Sequence, residues 1–104
     1  MPEKDWIVWL DKACRIEVER HSRGGSVTGF RIVLLADIDG VTHCVTRYDT
    51  SHGFAHRDIL ANGGRLLAKE FVEEEDFALA FEKAYLDIVN NYERYLVEYC
   101  GNAG

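Results

Sequence analysis

A chain of 104 residues is long enough for one domain, and with 47% apolar and 12% aromatic residues it can bury a modest core. Its net charge of −6 opposes broad attraction to nucleic acid or anionic membranes, although a local basic patch can override the average. No apolar run approaches the roughly 18–20 residues that cross a bilayer, so no membrane partner is expected.

The polar start Met1-Pro2-Glu3-Lys4-Asp5 lacks the apolar segment of a signal peptide. Trp6-Ile7-Val8-Trp9-Leu10 is a dense apolar cluster, expected to pack against the sheet or a partner subunit. Cys14, Ile16 and Val18 then alternate with Arg15, Glu17 and Glu19, the period of a half-buried strand. Ser22-Arg23-Gly24-Gly25-Ser26 breaks that pattern as a loop. A second strand is predicted from about Val27 to Ile38 and a third from Val41 to about Asp49. Asp39-Gly40 between them is a type I′ hairpin signal, because both residues tolerate positive φ.

A two-residue turn fixes a register. Ile38 then faces Val41, Leu34 faces Val45, Ile32 faces Arg47 and Phe30 faces Asp49. One face collects Phe30, Ile32, Leu34, Ala36, Ile38, Val41 and Val45, the natural core face. Arg47 and Asp49 continue that face, where unpaired charge is costly, so they are expected to pair with each other or to line a cleft. Tyr48 falls on the opposite face with Val33, Leu35 and Cys44. That face is apolar enough to be covered by the tryptophan cluster or by a second copy in a homodimer.

Asn62-Gly63-Gly64 marks another turn, leading by hairpin from Ile59 and Leu60 into a strand around Arg65 to Val72, although Leu66 and Leu67 are good helix formers too. From about Glu74 to Tyr99, Phe77, Phe81, Ala84, Tyr85, Ile88, Val89, Tyr92, Tyr95, Leu96 and Tyr99 recur at helical spacing. Glu73-Glu74-Glu75-Asp76 suits the positive end of that helix as a solvated start rather than a carboxylate metal cluster. The predicted fold is therefore a single α+β domain over residues 1–104. It consists of an antiparallel sheet of about three to five strands packed against one long C-terminal helix.

Cys14, Cys44 and Cys100 are an odd set without zinc-type spacing, which fits reduced thiols in a cytoplasmic protein. The chemistry concentrates instead in Arg47-Tyr48-Asp49-Thr50-Ser51-His52-Gly53-Phe54-Ala55-His56-Arg57-Asp58. Imidazole suits acid–base work because its unperturbed pKa is about 6.5. Two imidazoles and an arginine are a minimal kit for metal-free RNA cleavage. One histidine takes the 2′-hydroxyl proton, the other protonates the leaving 5′-oxygen, and Arg47 or Arg57 offsets charge on the phosphorane.

Arg47, Asp49, His52 and His56 are thus the catalytic candidates, with Tyr48, Arg57 and Asp58 as substrate-binding candidates. Two histidines and a carboxylate also form a donor set for Zn²⁺, Mn²⁺ or Fe²⁺. HxxxH alone is a weak pattern, so no residue is assigned as a metal ligand, and no cofactor fingerprint is present. The structural alternative is that Asp49 caps the loop, Gly53 supplies positive φ, and both histidines are ordinary loop residues. His21 before a loop and His43 in a hairpin strand occupy ordinary positions.

Arg47-Tyr48-Asp49, His52-Gly53, His56 and Asp58 resemble a pattern in small prokaryotic proteins, and are similar to the TumE-like toxins of type II toxin–antitoxin pairs. That family carries an Arg-Tyr-Asp strand end and a histidine-containing loop on a compact sheet-and-helix domain. The resemblance implies a toxin acting on RNA or translation, held inactive by an antitoxin-like partner, with Arg47, Asp49, His52 and His56 as the matched positions. Asp58 departs from it, standing where the family has a second histidine. An acidic pI near 5.1 also disfavours RNA as a partner. A non-catalytic interaction protein, in which Arg47 to Asp58 is a structural loop, is the alternative.

Overall fold

In a computed structural model, residues 4–101 are described; Met1, Pro2 and Glu3 of the polar start lie outside them. Six strands follow in chain order: β1 (Lys4–Trp9), β2 (Cys14–Arg23), β3 (Ser26–Ile38), β4 (Val41–Asp49), β5 (His56–Leu60) and β6 (Leu66–Phe71). A helix, α1 (Phe77–Gly101), completes the described chain. The strands form one antiparallel meander in sequence order, so every connection is a hairpin or short loop. The α+β class and the C-terminal helix are as expected, but the sheet has six strands rather than three to five. The extra members come from its ends. The tryptophan cluster is itself a strand, pairing Trp6 with Val18 and Val8 with Ile16.

Turn chemistry sets the hairpins. Asp39 and Gly40 both take positive φ, at 51° and 81°, the left-handed conformation that a type I′ turn needs. The helix begins where Asp76 Oδ1 accepts the amide of Ala78 at 2.9 Å, so the acidic run ends in a capping residue. α1 lies on β3 and β4, burying Ala80, Ala84, Ile88, Tyr95 and Tyr99. Against them pack Ile16 and Val18 of β2, Phe30, Ile32, Leu34 and Ala36 of β3, and Val45 of β4.

The register of β4 differs from the simple hairpin count. Ile38 does oppose Val41, but a bulge between Leu34 and Leu35 pairs them with Thr46 and Cys44 and leaves Val45 unopposed. Beyond that extra residue, every side chain changes face. Ile32 opposes Tyr48, Val33 opposes Arg47 and Arg31 opposes Asp49. Arg47 and Asp49 therefore leave the core face and stand on the open face of the sheet. Tyr48 takes the place under the helix, 7% exposed. Sequence alternation hid this, because a bulge repeats no pattern.

What lies under the helix is tied by a carboxylate. Asp87 Oδ2 accepts the hydroxyls of Tyr48 at 2.7 Å and Tyr95 at 2.5 Å, while its Oδ1 accepts the Asn91 amide at 2.9 Å. Burial, and then the bond to Asp87, push both phenols up, Tyr95 to about 12. Arg57 is also on this side, 8% exposed. Its guanidinium lies 4.5 Å from the Tyr95 ring centroid, and its Nη1 donates to Thr46 Oγ1 at 3.2 Å. Asp87→Ala leaves two buried hydroxyls without an acceptor and is expected to lower stability by about 2–4 kcal/mol in urea unfolding. In a Tyr48→Phe, Tyr95→Phe background the same change should cost far less. An equal cost in both backgrounds would show that the tie contributes little.

Candidate functional site

The open face near the β4–β5 loop gathers the charged residues of three strands. Arg47 and Asp58 are cross-strand partners, as are Asp49 and His56, and Asp58 faces Lys69 of β6. Arg47 Nε donates to Asp58 Oδ2 at 2.6 Å, and Lys69 Nζ donates to Asp58 Oδ1 at 2.9 Å. His56 Nε2 lies 3.1 Å from Asp49 Oδ1, 3.1 Å from Lys69 Nζ and 3.6 Å from Asp58 Oδ1. The nitrogen has one proton position, so it either donates to Asp49 or accepts from Lys69.

Accessibility divides this cluster into two layers. His56 and Asp58 are each 1% exposed. Asp49, Arg47 and Lys69 cover them, with side chains 17%, 33% and 41% exposed. His52 is exposed on the loop, its ring stacked on that of His56 with centroids 5.7 Å apart. The loop is held where it leaves β4. Asp49 Oδ1 accepts the amide and hydroxyl of Ser51 at 3.1 and 2.9 Å, and Thr50 Oγ1 accepts the amide of Phe30 at 3.0 Å. Gly29 permits the second contact, since a Cβ there would meet Thr50 Oγ1 at 3.0 Å. Gly53 turns the loop at a φ of 85°.

Asp49 thus caps the loop with Oδ1, while its Oδ2 accepts no bond from a described residue. Asp49 and Arg47 line a cleft of about 410 Å³ with His21, Phe30, Arg31, Thr50 and Ser51. Arg31 makes no ion pair among the described residues, so this cleft has uncommitted positive charge in a chain that is acidic overall.

Of the residues expected from sequence, Arg47, Asp49, His52, His56 and Asp58 come together here. Tyr48 and Arg57 lie across the sheet, held by Asp87 and by Tyr95 with Thr46. Lys69, Arg31 and His21 belong to the site neighbourhood and were not anticipated. Lys69 reaches Asp58 through the β5–β6 register, which contains a further irregularity at Ile59/Leu60 that no turn motif announces. His43, assigned no role from sequence, lies with Nδ1 2.9 Å from the Tyr99 hydroxyl, a contact beneath the helix.

Asp49, His56 and Asp58 each offer an atom within 4.8 Å of the others, a spacing that suits a divalent cation. The surrounding charge argues otherwise. Two carboxylates face the cations of Arg47 and Lys69, and the Lys69 ammonium already takes up Asp58 Oδ1. A divalent ion would have to displace Lys69 and leave excess positive charge. The cluster is balanced as it stands.

Burial pushes the Asp58 carboxyl up, but the hydrogen bonds and charges of Arg47 and Lys69 outweigh it and hold the group below its ordinary value. A depressed carboxyl contributes stability that is complete above the unfolded value of about 3.9 and is lost as pH falls through the folded value. Asp58→Asn is expected to lower stability at neutral pH by on the order of 2 kcal/mol, and its curve should meet the wild type on strong acidification. Urea midpoints across the acid range test this, and a gap that stayed constant would remove Asp58 from the acid response.

No curated protein and no solved structure matches the chain significantly. A family model does, over nearly its whole length. The chain belongs to the family described as a domain of unknown function, DUF7718, whose model matches residues 1–103.

Proposed function

We propose that the open-face cluster is a metal-free acid–base site that cleaves RNA, as the toxin-like reading of the motif implies. The observation that carries it is the Asp49–His56 contact of 3.1 Å beside a cleft containing Arg31 and Arg47. A carboxylate oriented from behind by a buried imidazole sits next to cationic groups suited to phosphate.

In this reading the 2′-hydroxyl of the substrate gives its proton to Asp49, and the 2′-oxygen attacks the adjacent phosphorus. The bond from phosphorus to the 5′-oxygen breaks, and that oxygen takes a proton from the imidazolium of His52. The products are a 2′,3′-cyclic phosphate and a 5′-hydroxyl. Arg47, with Arg31, offsets charge on the phosphorane. His56 is too buried to meet substrate and acts as a positioning residue, while Asp58 fixes Arg47 and Lys69. Tyr48 and Arg57 serve through the fold, holding β4 and β5 beneath the helix. The local arginines answer the acidic average, since substrate meets the cleft and not the mean surface. Three free thiols suit a reducing cytoplasm, where such an enzyme would need an antitoxin-like partner to restrain it.

Induced expression is expected to arrest bacterial growth, with relief by Asp49→Asn or His52→Ala. The purified protein should cleave single-stranded RNA in the presence of a chelator, and either substitution should slow it about 10²–10⁴-fold. Full activity in both variants, or a wild type inert towards RNA and growth, would defeat the proposal. A non-catalytic interaction protein is the second reading, favoured by Ile7 and Trp9, 57% and 58% exposed. Light scattering separates it: a homodimer dissociated by Trp9→Glu would support that role.

A further inference from the structure

The cationic cleft lies to one side of the Asp49–His56 pair, and a pocket of opposite character lies to the other. Phe54 follows His52 in the loop, and its ring centroid is 5.7 Å from that of His56. Phe71, at the end of the β6 edge strand, packs on Phe54 with centroids 4.9 Å apart. Both rings are far from covered, at 40% and 61% exposure. They form one side of a cavity of about 720 Å³ whose lining also includes Val72, Glu73, Glu75 and Phe77. Glu74 lines it as well but is tied to Lys83 at 3.0 Å, whereas Glu73 and Glu75 make no ion pair among the described residues.

Large aromatic rings left in water beside unpaired carboxylates define a ligand by exclusion. A phosphate is repelled by the glutamates, and a purely aliphatic group leaves their charges unused. A flat aromatic ring whose edge carries N–H donors satisfies both features: the ring stacks on phenylalanine and the edge donates to a carboxylate. Among the nucleobases, guanine presents two adjacent donors, N1–H and the N2 amino group, which match the two oxygens of one carboxylate in parallel. Uracil offers one.

We propose that the Phe54–Phe71 pocket is a nucleobase subsite that holds an unpaired guanine of single-stranded RNA, stacked on Phe71 and hydrogen-bonded at its N1/N2 edge to Glu73 or Glu75. This rests on the reading of the neighbouring cluster as an RNA site and gives that site a substrate polarity. The base goes to the acidic aromatic side, and the phosphate goes to Arg31 and Arg47. It also accounts for the acidic rim beside a nucleic-acid cleft: the carboxylates keep the backbone out of the base pocket and select for a donor edge.

The test uses the full chain and 2′-O-methyl hexanucleotides, which lack the attacking hydroxyl and so report binding without cleavage. Fluorescence anisotropy should show a guanine-containing strand binding about tenfold more tightly than oligouridine. Phe71→Ala, at an exposed edge position, should weaken guanine binding about tenfold. Glu73→Gln with Glu75→Gln should abolish the guanine preference and leave the Tm unchanged. Equal binding of all base compositions, or no effect of Phe71→Ala, would overturn the subsite. So would a lysine-rich peptide that binds the pocket while guanine strands do not. The two readings fail separately. Guanine-selective binding in a protein that cleaves no RNA keeps the subsite and removes the acid–base mechanism. Cleavage indifferent to Phe71 and both glutamates keeps the mechanism and removes the subsite.

Discussion

Val45 is one residue more than β4 needs to match β3, and the sides of the sheet are apportioned by that surplus. On the near side of the bulge β4 behaves as its turn dictates, with Ile38 opposite Val41. On the far side Tyr48 points under the helix, and Arg47 and Asp49 point away from it. Without the extra residue, two charged side chains would enter the space filled by Phe30, Ile32 and Leu34, where desolvation would be uncompensated. Bulges commonly re-aim side chains in this way beside functional sites. β5 inherits the same division, because its residues face whatever opposes them: Arg57 shares the side of Tyr48, and Asp58 shares the side of Arg47.

The two sides then solve different electrostatic problems. Beneath the helix, Asp87 gathers two phenols and an amide, and Arg57 lies over Tyr95 while bonding Thr46. These contacts satisfy polar groups that the packing of α1 removes from water. On the open face, Asp58 is covered but meets both Arg47 and Lys69, so its charge is retained and balanced. A carboxylate held between two cations is a rigid anchor, because each partner is costly to remove while the other charge stays buried. Asp49 and His56 stand against that anchor, and Ser51 and Thr50 fix the loop that carries His52.

That arrangement also divides charge along one face of a protein that is acidic overall. Arg31 and Arg47 concentrate positive charge at one end of the β4–β5 loop, while Glu73 and Glu75 concentrate negative charge at the other. Phe54 and Phe71 stand next to His56, between the latter and Asp49. The net charge averages over this polarity and is a poor guide to it.

Much of this was legible in residue order. The Asp39-Gly40 turn, the alternation of β2 and β3, and the apolar stripe of α1 are local properties, set by φ preferences and by periods of two or 3.6 residues. The clustering of polar, titratable residues from Arg47 to Asp58 at a strand end was legible for the same reason. The sequence by itself determined the α+β class, the central hairpin, the C-terminal helix and where the titratable side chains lie along the chain. Only the tertiary structure decided which face each side chain takes, that Arg47 pairs with Asp58 rather than Asp49, and that Lys69, Arg31 and Phe71 join the neighbourhood. A bulge shifts register without leaving a periodic trace, and cross-strand partners are chosen by the pairing of strands distant in sequence, so no local pattern carries that information.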